Sequence, residues 1–470
     1  MSSRVKYLFK NVGILTISSF ATKILGFLLV PLYTSVLTTS DYGIYDLITS
    51  TIALLFPIFS MNIVDGVMRF CMDKNYEQGN VAKVGIKYIV LNVIFVSFFI
   101  TIIKLFNIIP AISEYIPLIY IMYFLSSFNT YFIQLAKGME KVKDLGIMGF
   151  ISSVVTIGLN ILFLVTLKLG IKGFFLTNII GQLVACSYYF IRLRFWKLIK
   201  TEDISFVNKD LEKNMLKYSL PLITTTIGWW VNGASDKYVV TLFCGVAANG
   251  ILSVAYKIPN IINTLESIFI SAWQISAIKE YDTENVSNFY VRLFLIFNTL
   301  LSFACTCLII LSKPFARILF RNEFYEAWQY CPFLLISTVL NAASGFIGPI
   351  LSAKKDSKTL ALSALIGAGA NIIMNFIFVY FIGVQGAAIA TAISSFIIFY
   401  VRKIKVRDEL PVKRFWTVLV TWIILAGQSL IEIYTKFWYM EIICIIMIII
   451  LNLPVLKDCI VYIRMKKSGN

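Results

Sequence analysis

Residues 359–401 read TLALSALIGAGANIIMNFIFVYFIGVQGAAIATAISSFIIFYV, with no charged residue between Lys358 and Arg402. As one α-helix at ~1.5 Å per residue this stretch would be about 64 Å long, twice the ~30 Å hydrocarbon core of a bilayer. It must double back, and Gly383-Val384-Gln385-Gly386 marks the turn. Two helices that share one turn and carry no charge belong in lipid. The rest of the chain agrees: 59% of its 470 residues are apolar and 14% charged, against the ~45–50% apolar share of soluble domains. A soluble fold, a disordered chain and a disulfide scaffold are all excluded. The eight cysteines are scattered, and Cys71, Cys186, Cys244, Cys305, Cys307 and Cys444 lie in or beside apolar runs, where a thiol is a small hydrophobe. The absence of histidine removes imidazole acid–base catalysis, imidazole metal ligation and histidine pH sensing.

Working outward from that hairpin, windows of about 20 apolar residues give fourteen expected spans: 12–36, 44–68, 84–104, 114–135, 146–167, 172–193, 216–243, 250–278, 288–311, 325–352, 358–382, 386–402, 414–432 and 438–456. Arg4, Lys6 and Lys10 ahead of the first resemble a signal peptide, but the run is long and lacks a small-x-small cleavage pattern. It is expected to be a retained helix. The formal charge of +17 follows membrane topology rather than one basic face. With the N-terminus inside, 30 of the 42 Lys and Arg fall on inner segments and 7 on outer ones, the other five (Lys23, Lys87, Lys237, Lys257, Arg292) lying within spans or at their edges. The positive-inside rule then predicts that both termini are cytoplasmic.

The chain also repeats itself. Asn160 precedes Leu169-Gly170-Ile171-Lys172-Gly173-Phe174-Phe175-Leu176-Thr177, and Asn371 precedes Ile382-Gly383-Val384-Gln385-Gly386-Ala387-Ala388-Ile389-Ala390, at offsets of 211 for the asparagines and 213 for the glycines. A fainter echo pairs Tyr42-Gly43-Ile44-Tyr45 with Asn249-Gly250-Ile251-Leu252 at 207. Repeats of an even number of spans enter the membrane in one orientation and are related by an axis along its normal. The expected fold is all-α and integral to the membrane. A six-helix lobe over 1–193 and a cytoplasmic linker over 194–215 precede a second six-helix lobe over 216–402, with two further helices and a tail over 403–470.

Lys23-Ile24-Leu25-Gly26 through Pro31-Leu32-Tyr33-Thr34, Asp41-Tyr42-Gly43-Ile44-Tyr45, Asn62-Ile63-Val64-Asp65-Gly66 with Arg69-Phe70, and Asp236-Lys237 followed by Asn249-Gly250 and Ala255-Tyr256-Lys257 resemble the oligosaccharide flippases of bacterial surface-polysaccharide synthesis. These belong to the multidrug/oligosaccharidyl-lipid/polysaccharide exporter superfamily. The resemblance covers spans one to twelve. It departs at Asp236-Lys237, where that family more often has Asp-Arg; lysine keeps the charge and loses the bidentate fork. What the resemblance implies is a V-shaped pair of lobes around a cavity, carrying a polyprenyl-pyrophosphate-linked oligosaccharide between leaflets of the bacterial cytoplasmic membrane by alternating access.

The charges inside spans give that expectation residues. A lysine at the bilayer centre costs ~2.5–3.5 kcal/mol on insertion scales, so Lys23, Lys237 and Lys257 facing lipid together would cost roughly 8–10 kcal/mol. A wet cavity removes most of this, and a pyrophosphate requires such cations. These three are the expected substrate-binding cations, although Lys23 could equally snorkel or meet a carboxylate. Asp65, Arg69, Asp236 and Glu266 are the expected gating or coupling residues; Asp65 and Arg69 stand four apart, the spacing of an intrahelical ion pair. The expected route lies along helices one, two, seven and eight. Pro57, Pro221, Pro259 and Pro349 are candidate kinks.

Two other functions compete. A cation-coupled drug or metabolite antiporter of the same superfamily usually carries an acid in helix one, where this chain has Lys23. A membrane polymerase or ligase needs a sizeable outer loop, and the longest here is about a dozen residues near Lys313–Arg321 by the span reading; no Asp-x-Asp, Gly-x-Ser-x-Gly or phosphate-cradling motif is present. A transporter rather than an enzyme is expected, without a catalytic residue, metal or cofactor, with coupling to H+ or Na+ open. Its expected partners are the lipid-linked oligosaccharide, membrane lipids and a polysaccharide polymerase or other assembly component, not nucleic acid, and it is expected to be monomeric.

Overall fold

The computed structural model describes residues 26–106, 110–200, 209–279, 281, 286–411, 415–435 and 437–468. The first part of expected span one, Lys23 included, and residues 201–208 of the expected linker lie outside the described residues. Among the described residues every regular element is helical. The helices are α1 (Val30–Val36), α2 (Thr39–Phe59), α3 (Ile63–Cys71), α4 (Gln78–Leu105), α5 (Ile116–Gly138), α6 (Val142–Asn160), α7 (Gly170–Arg192), α8 (Phe195–Lys200) and α9 (Lys209–Cys244). They continue as α10 (Val246–Ala255), α11 (Pro259–Lys279), α12 (Val286–Ile310), α13 (Ser312–Leu319), α14 (Cys331–Ala353), α15 (Ser357–Ile382), α16 (Val384–Lys405), α17 (Phe415–Tyr434) and α18 (Trp438–Ser468).

Eleven described helical segments are long and apolar enough to cross a membrane, which makes this a multi-pass membrane protein. They coincide with eleven of the fourteen expected spans. The three expected spans left over are one, seven and eight, the ones holding Lys23, Asp236 with Lys237, and Lys257 with Glu266. Only part of span one is described. In α9 a run of Thr224, Thr225 and Thr226 followed by Asn232, Ser235, Asp236 and Lys237 dilutes the apolar pattern. Span eight is broken at Tyr256–Ile258, and Pro259 opens the second piece. Expected span two is likewise corrected to two helices. After Pro57, Met61 (φ 52°) and Asn62 (φ 47°) take left-handed conformations, so α2 stops at Phe59 and α3 begins afresh at Ile63.

The chain divides into two compact units, Met1–Trp230 and Val231–Asn470. In the first, α5 packs against α3, α4, α6 and α7. Its surface is inverted relative to a soluble protein. On α4 Tyr88, Ile89, Asn92 and Val96 are buried, while Val90, Leu91, Ile94, Phe95, Phe98 and Phe99 are exposed, as a helix between protein and lipid requires. Hydrophobicity gives no net drive between helices in lipid, so side-chain hydrogen bonds and close fit take over. Asn92 donates to Ser127 Oγ (3.2 Å) and accepts from the Tyr123 hydroxyl (2.6 Å), tying α4 to α5. Asp144 on α6 accepts from Arg192 Nε (2.6 Å) and the Tyr188 hydroxyl (3.0 Å) on α7.

The second unit is built around α14, whose buried surface packs against α11, α12, α16 and α17. Trp273 on α11 donates to the Phe346 carbonyl (2.8 Å) and stacks on its ring. Arg402, at the end of expected span twelve, is buried; its guanidinium donates to Ser363 Oγ (2.9 Å) and the Ser344 carbonyl (3.0 Å). The repeat is visible in each unit by itself. Gly170 (φ +54°) and Gly383 (φ +62°) open the second helix of each hairpin in the left-handed region, which only glycine enters freely. Three residues on, a Cβ at Gly173 would meet Phe163 Cβ at 3.0 Å, and one at Gly386 would meet the Phe378 backbone at 2.3 Å. One glycine makes the turn and the next lets the hairpin close.

Candidate functional site

Unit 1 contains two adjoining cavities of about 310 and 280 Å³ that share Asn178 and Gln182 as walls. Thr49, Ser126 and Thr130 line one; Tyr33, Tyr45, Thr156, Asn160, Phe174 and Thr177 line the other. No lining residue is charged. Phe174 stands between two tyrosines, its ring centroid 4.7 Å from Tyr33 and 4.1 Å from Tyr45. Asn178 Nδ2 donates to the Tyr45 hydroxyl (2.5 Å), Gln182 donates to Asn178, and Asn160 Nδ2 donates to the Tyr33 hydroxyl (3.0 Å) and the Thr156 carbonyl (2.8 Å).

Three buried oxygens of this cleft have no hydrogen-bond partner: Asn160 Oδ1, Thr177 Oγ1 and Gln182 Oε1. A buried polar atom left unsatisfied is costly, and all three belong to residues that line the cavities. Directly after Asn160 the helix widens into a π-helical turn, Ile161–Thr166, a departure often met at functional sites. Amides, hydroxyls and aromatic faces without charge can bind neutral, hydroxyl-rich rings. The sequence does carry the signal: Thr156/Asn160, Asn178/Gln182 and Ser126/Thr130 are polar pairs four apart in uncharged stretches of their spans, hence on one helix face. Being neutral, they carry none of the insertion cost that singles out an ion in lipid.

The expected ionisable residues fall into two groups. In unit 1, Asp65 on α3 accepts from Asn62 Nδ2 (2.8 Å) and from Gln134 Nε2 of α5 (2.8 Å). Arg69 is exposed. Among the described residues no ion pair joins Asp65 to Arg69; two amides occupy the carboxylate instead. In unit 2, Asp236 is 2% exposed and accepts the Tyr256 hydroxyl and the Lys237 backbone N–H (2.9 Å). Tyr256 belongs to the break between α10 and α11, so this bond brings Asp236 and Lys237 to the segment that carries Lys257. Both lysine side chains are partly exposed. Glu266 lies farther along α11, its Oε1 2.9 Å from where a Cβ at Gly345 of α14 would stand. Asparagine, tyrosine and glycine neighbours set these groups, and none was singled out for that role from sequence. Among the described residues no group of three Cys, Asp or Glu side chains is placed to hold a metal ion.

A 280-residue stretch is 27% identical to an uncharacterised membrane protein of Methanocaldococcus jannaschii, covering 56% of this chain and 65% of that protein. The chain thus spans just under two-thirds of that relative's length. Among solved structures, the lipid II flippase MurJ in an inward closed conformation superposes with a TM-score of 0.69 at 18% identity, over 95% of this chain and 99% of that one. An inward-facing multidrug resistance MATE family transporter of the MOP superfamily gives 0.66 at 14%, over 82% and 95%. A MOP superfamily transporter from Pyrococcus furiosus gives 0.57 at 15%, over 85% and 96%. At these identities the likeness is one of fold, and it is the fold expected from the repeat. A model of the family described as "Polysaccharide biosynthesis protein" matches residues 8–275, more than half of the sequence, and the chain belongs to that family.

Proposed function

We propose that the protein is a flippase that carries polyprenyl-pyrophosphate-linked oligosaccharide units across the cytoplasmic membrane by alternating access, for assembly of a surface polysaccharide. The observation that carries this reading is the uncharged cleft of unit 1, with Phe174 between Tyr33 and Tyr45 and three unsatisfied oxygens, in a chain of a polysaccharide-biosynthesis family. Amide and hydroxyl groups recognise sugar hydroxyls, and aromatic faces cover the apolar faces of sugar rings. In this reading Lys237 and Lys257, with Lys23, meet the pyrophosphate, and both termini face the cytoplasm. Asp65 and Arg69 serve gating; Asp236 and Glu266 are the acids available to couple H+ or Na+. The protein acts without catalytic chemistry and hands its cargo to a polymerase or other assembly component.

The test is reconstitution in liposomes with a fluorescent polyprenyl-pyrophosphoryl oligosaccharide. Inner-leaflet cargo should become accessible from outside faster than in empty liposomes, and faster than a polyprenyl pyrophosphate without sugar. If neither lipid moves while a cationic drug accumulates against a proton or sodium gradient, the protein is an antiporter and the flippase reading fails.

A further inference from the structure

The last two helices lie beyond the stretch that matches the family model, and they bury two acids face to face. Glu432 is in the last turn of α17 and 3% exposed; Glu441 is in the first turn of α18 and 4% exposed. The carboxyl of Glu441 lies against those of Glu432 and the Gln428 amide. Glu432 receives the Ser312 hydroxyl (3.2 Å) and has Lys313 Nζ 3.4 Å from its Oε1. That ammonium also donates to the Glu432 backbone carbonyl (2.9 Å) and sits 4.4 Å over the Trp328 ring. Gln428 is held by Thr306 of α12, accepting its hydroxyl at 2.6 Å and donating to its carbonyl at 3.1 Å. The remaining oxygen, Glu441 Oε2, is buried without a hydrogen-bond partner.

The arithmetic of charge and of hydrogen bonds leads to the same ligand. Among the described residues two carboxylates face one ammonium, an excess of one negative charge, and the contact between the two carboxyl groups sets acceptor against acceptor. One proton corrects both, turning that contact into O–H···O and neutralising the cluster, as in other carboxylate pairs that share a site. Calcium takes six or more oxygen ligands, and among the described residues no third acid joins the pair. The ammonium beside Glu432 further opposes any metal cation. Among the described residues of the packed elements, the titratable or charged groups facing the pair are Lys313 of α13 and Cys444 of α18; α12 offers the neutral hydroxyl of Thr306, and Lys436 of the joining turn lies outside the described residues.

We propose that Glu432 and Glu441 form a proton-binding site in which one shared proton bridges the two carboxyl groups. Its release opposes two like charges across the turn joining α17 and α18 and loosens the packing of these helices on α12 and α13. The site does not depend on what the protein transports.

Infrared difference spectroscopy of the purified full-length protein in nanodiscs tests this. The wild-type minus E441Q spectrum at neutral pH should contain the carbonyl stretch of a protonated carboxylic acid, and the band should disappear as pH rises. E432Q should abolish the same band, because a lone Glu441 is then neutralised by Lys313. K313M removes no acid and should carry the band to higher pH; read as a difference between spectra of one protein at low and high pH, this comparison with wild type stands even where E441Q does not fold. Absence of the band from the wild-type difference spectrum, or a titration midpoint unmoved in K313M, overturns the proposal. Loss of the band on adding sodium at constant pH would make the ligand a metal ion and overturn it equally.

Discussion

Asn160 donates to the hydroxyl of Tyr33 at 3.0 Å, and its repeat counterpart Asn371 accepts the hydroxyl of Ser235 at 2.7 Å. In each unit one asparagine thus ties the fifth helix of the repeat to the first. The two differ in what remains. Asn371 also donates to Ser394 Oγ (3.2 Å) and accepts from Asn375 (2.9 Å), whereas Asn160 keeps an unsatisfied Oδ1 beside a cavity. Asn371→Ala should therefore lower stability by about 0.5–2 kcal/mol, the range of interhelical hydrogen bonds in bilayers, read as thermal unfolding in detergent. Asn160→Ala should cost less stability and proportionately more transport. Equal loss of transport at matched folded amounts would place both asparagines in the scaffold.

The second helix of each hairpin depends on its inner glycine. A Cβ at Gly386 falls 2.3 Å from the Phe378 backbone, which cannot swing aside, while one at Gly369 meets nothing within 4 Å. Gly386→Ala should destabilise by roughly 1–3 kcal/mol, the usual cost of overpacking, and reduce the membrane-inserted yield. Gly369→Ala should be neutral or stabilise by up to ~1 kcal/mol, since alanine restricts the unfolded chain. Fluorescence-detected size exclusion of the two variants checks both directions.

How far the sequence revealed this molecule depends on the strength of each local signal. The charge-free stretch 359–401 and its glycines gave the α15–α16 hairpin, because nothing shorter than two helices accommodates that much apolar chain. The breaks after Phe59 and before Pro259 were hidden, since hydropathy averages over a window and registers no left-handed residue such as Met61 or Asn62. Charged residues drew attention to Asp236 and Lys257 because an ion in lipid is costly. Asn178, Gln182 and Thr177 escaped it: a neutral amide or hydroxyl hardly alters a hydropathy window, and only packing shows that they share one cavity.

At the other end of unit 1, Glu212 receives Lys87 Nζ and the Tyr88 hydroxyl, both at 2.7 Å. Burial alone would raise its carboxyl pKa, but these two hydrogen bonds hold it below the ordinary carboxylate value. A depressed folded-state pKa gives stability that is present above the unfolded value, ~4.3, and is lost as pH falls through the folded one. Wild type should lose its advantage over E212Q on acidification from about pH 5 toward pH 3. The difference should stay under ~1 kcal/mol, because Lys87 is nearly half exposed and salt screens the pair. Melting temperatures of both proteins across that range give the comparison, and parallel curves would show that the pair adds nothing.

The bond from Tyr256 to Asp236 separates a structural from a functional account of the broken segment in unit 2. Asp236 is almost fully buried, so removing the hydroxyl in Tyr256→Phe takes a donor from a buried carboxylate and should cost ~1–3 kcal/mol of stability. Lys257, next along the same break, is partly exposed, and its removal should cost little stability. If its ammonium meets a pyrophosphate, Lys257→Ala should weaken binding of a polyprenyl-pyrophosphate cargo about ten- to a hundredfold, the worth of one charge-assisted hydrogen bond. Lys257→Arg should retain most of it, since the positive charge is kept. Lys237→Ala and Lys237→Arg should behave alike if both cations serve one group. Binding measured with cargo bearing pyrophosphate and with the same glycan on a neutral lipid gives the decisive contrast. A loss of affinity confined to the pyrophosphate form supports the cationic site, and an equal loss for both forms would show that these lysines shape the segment rather than bind the anion.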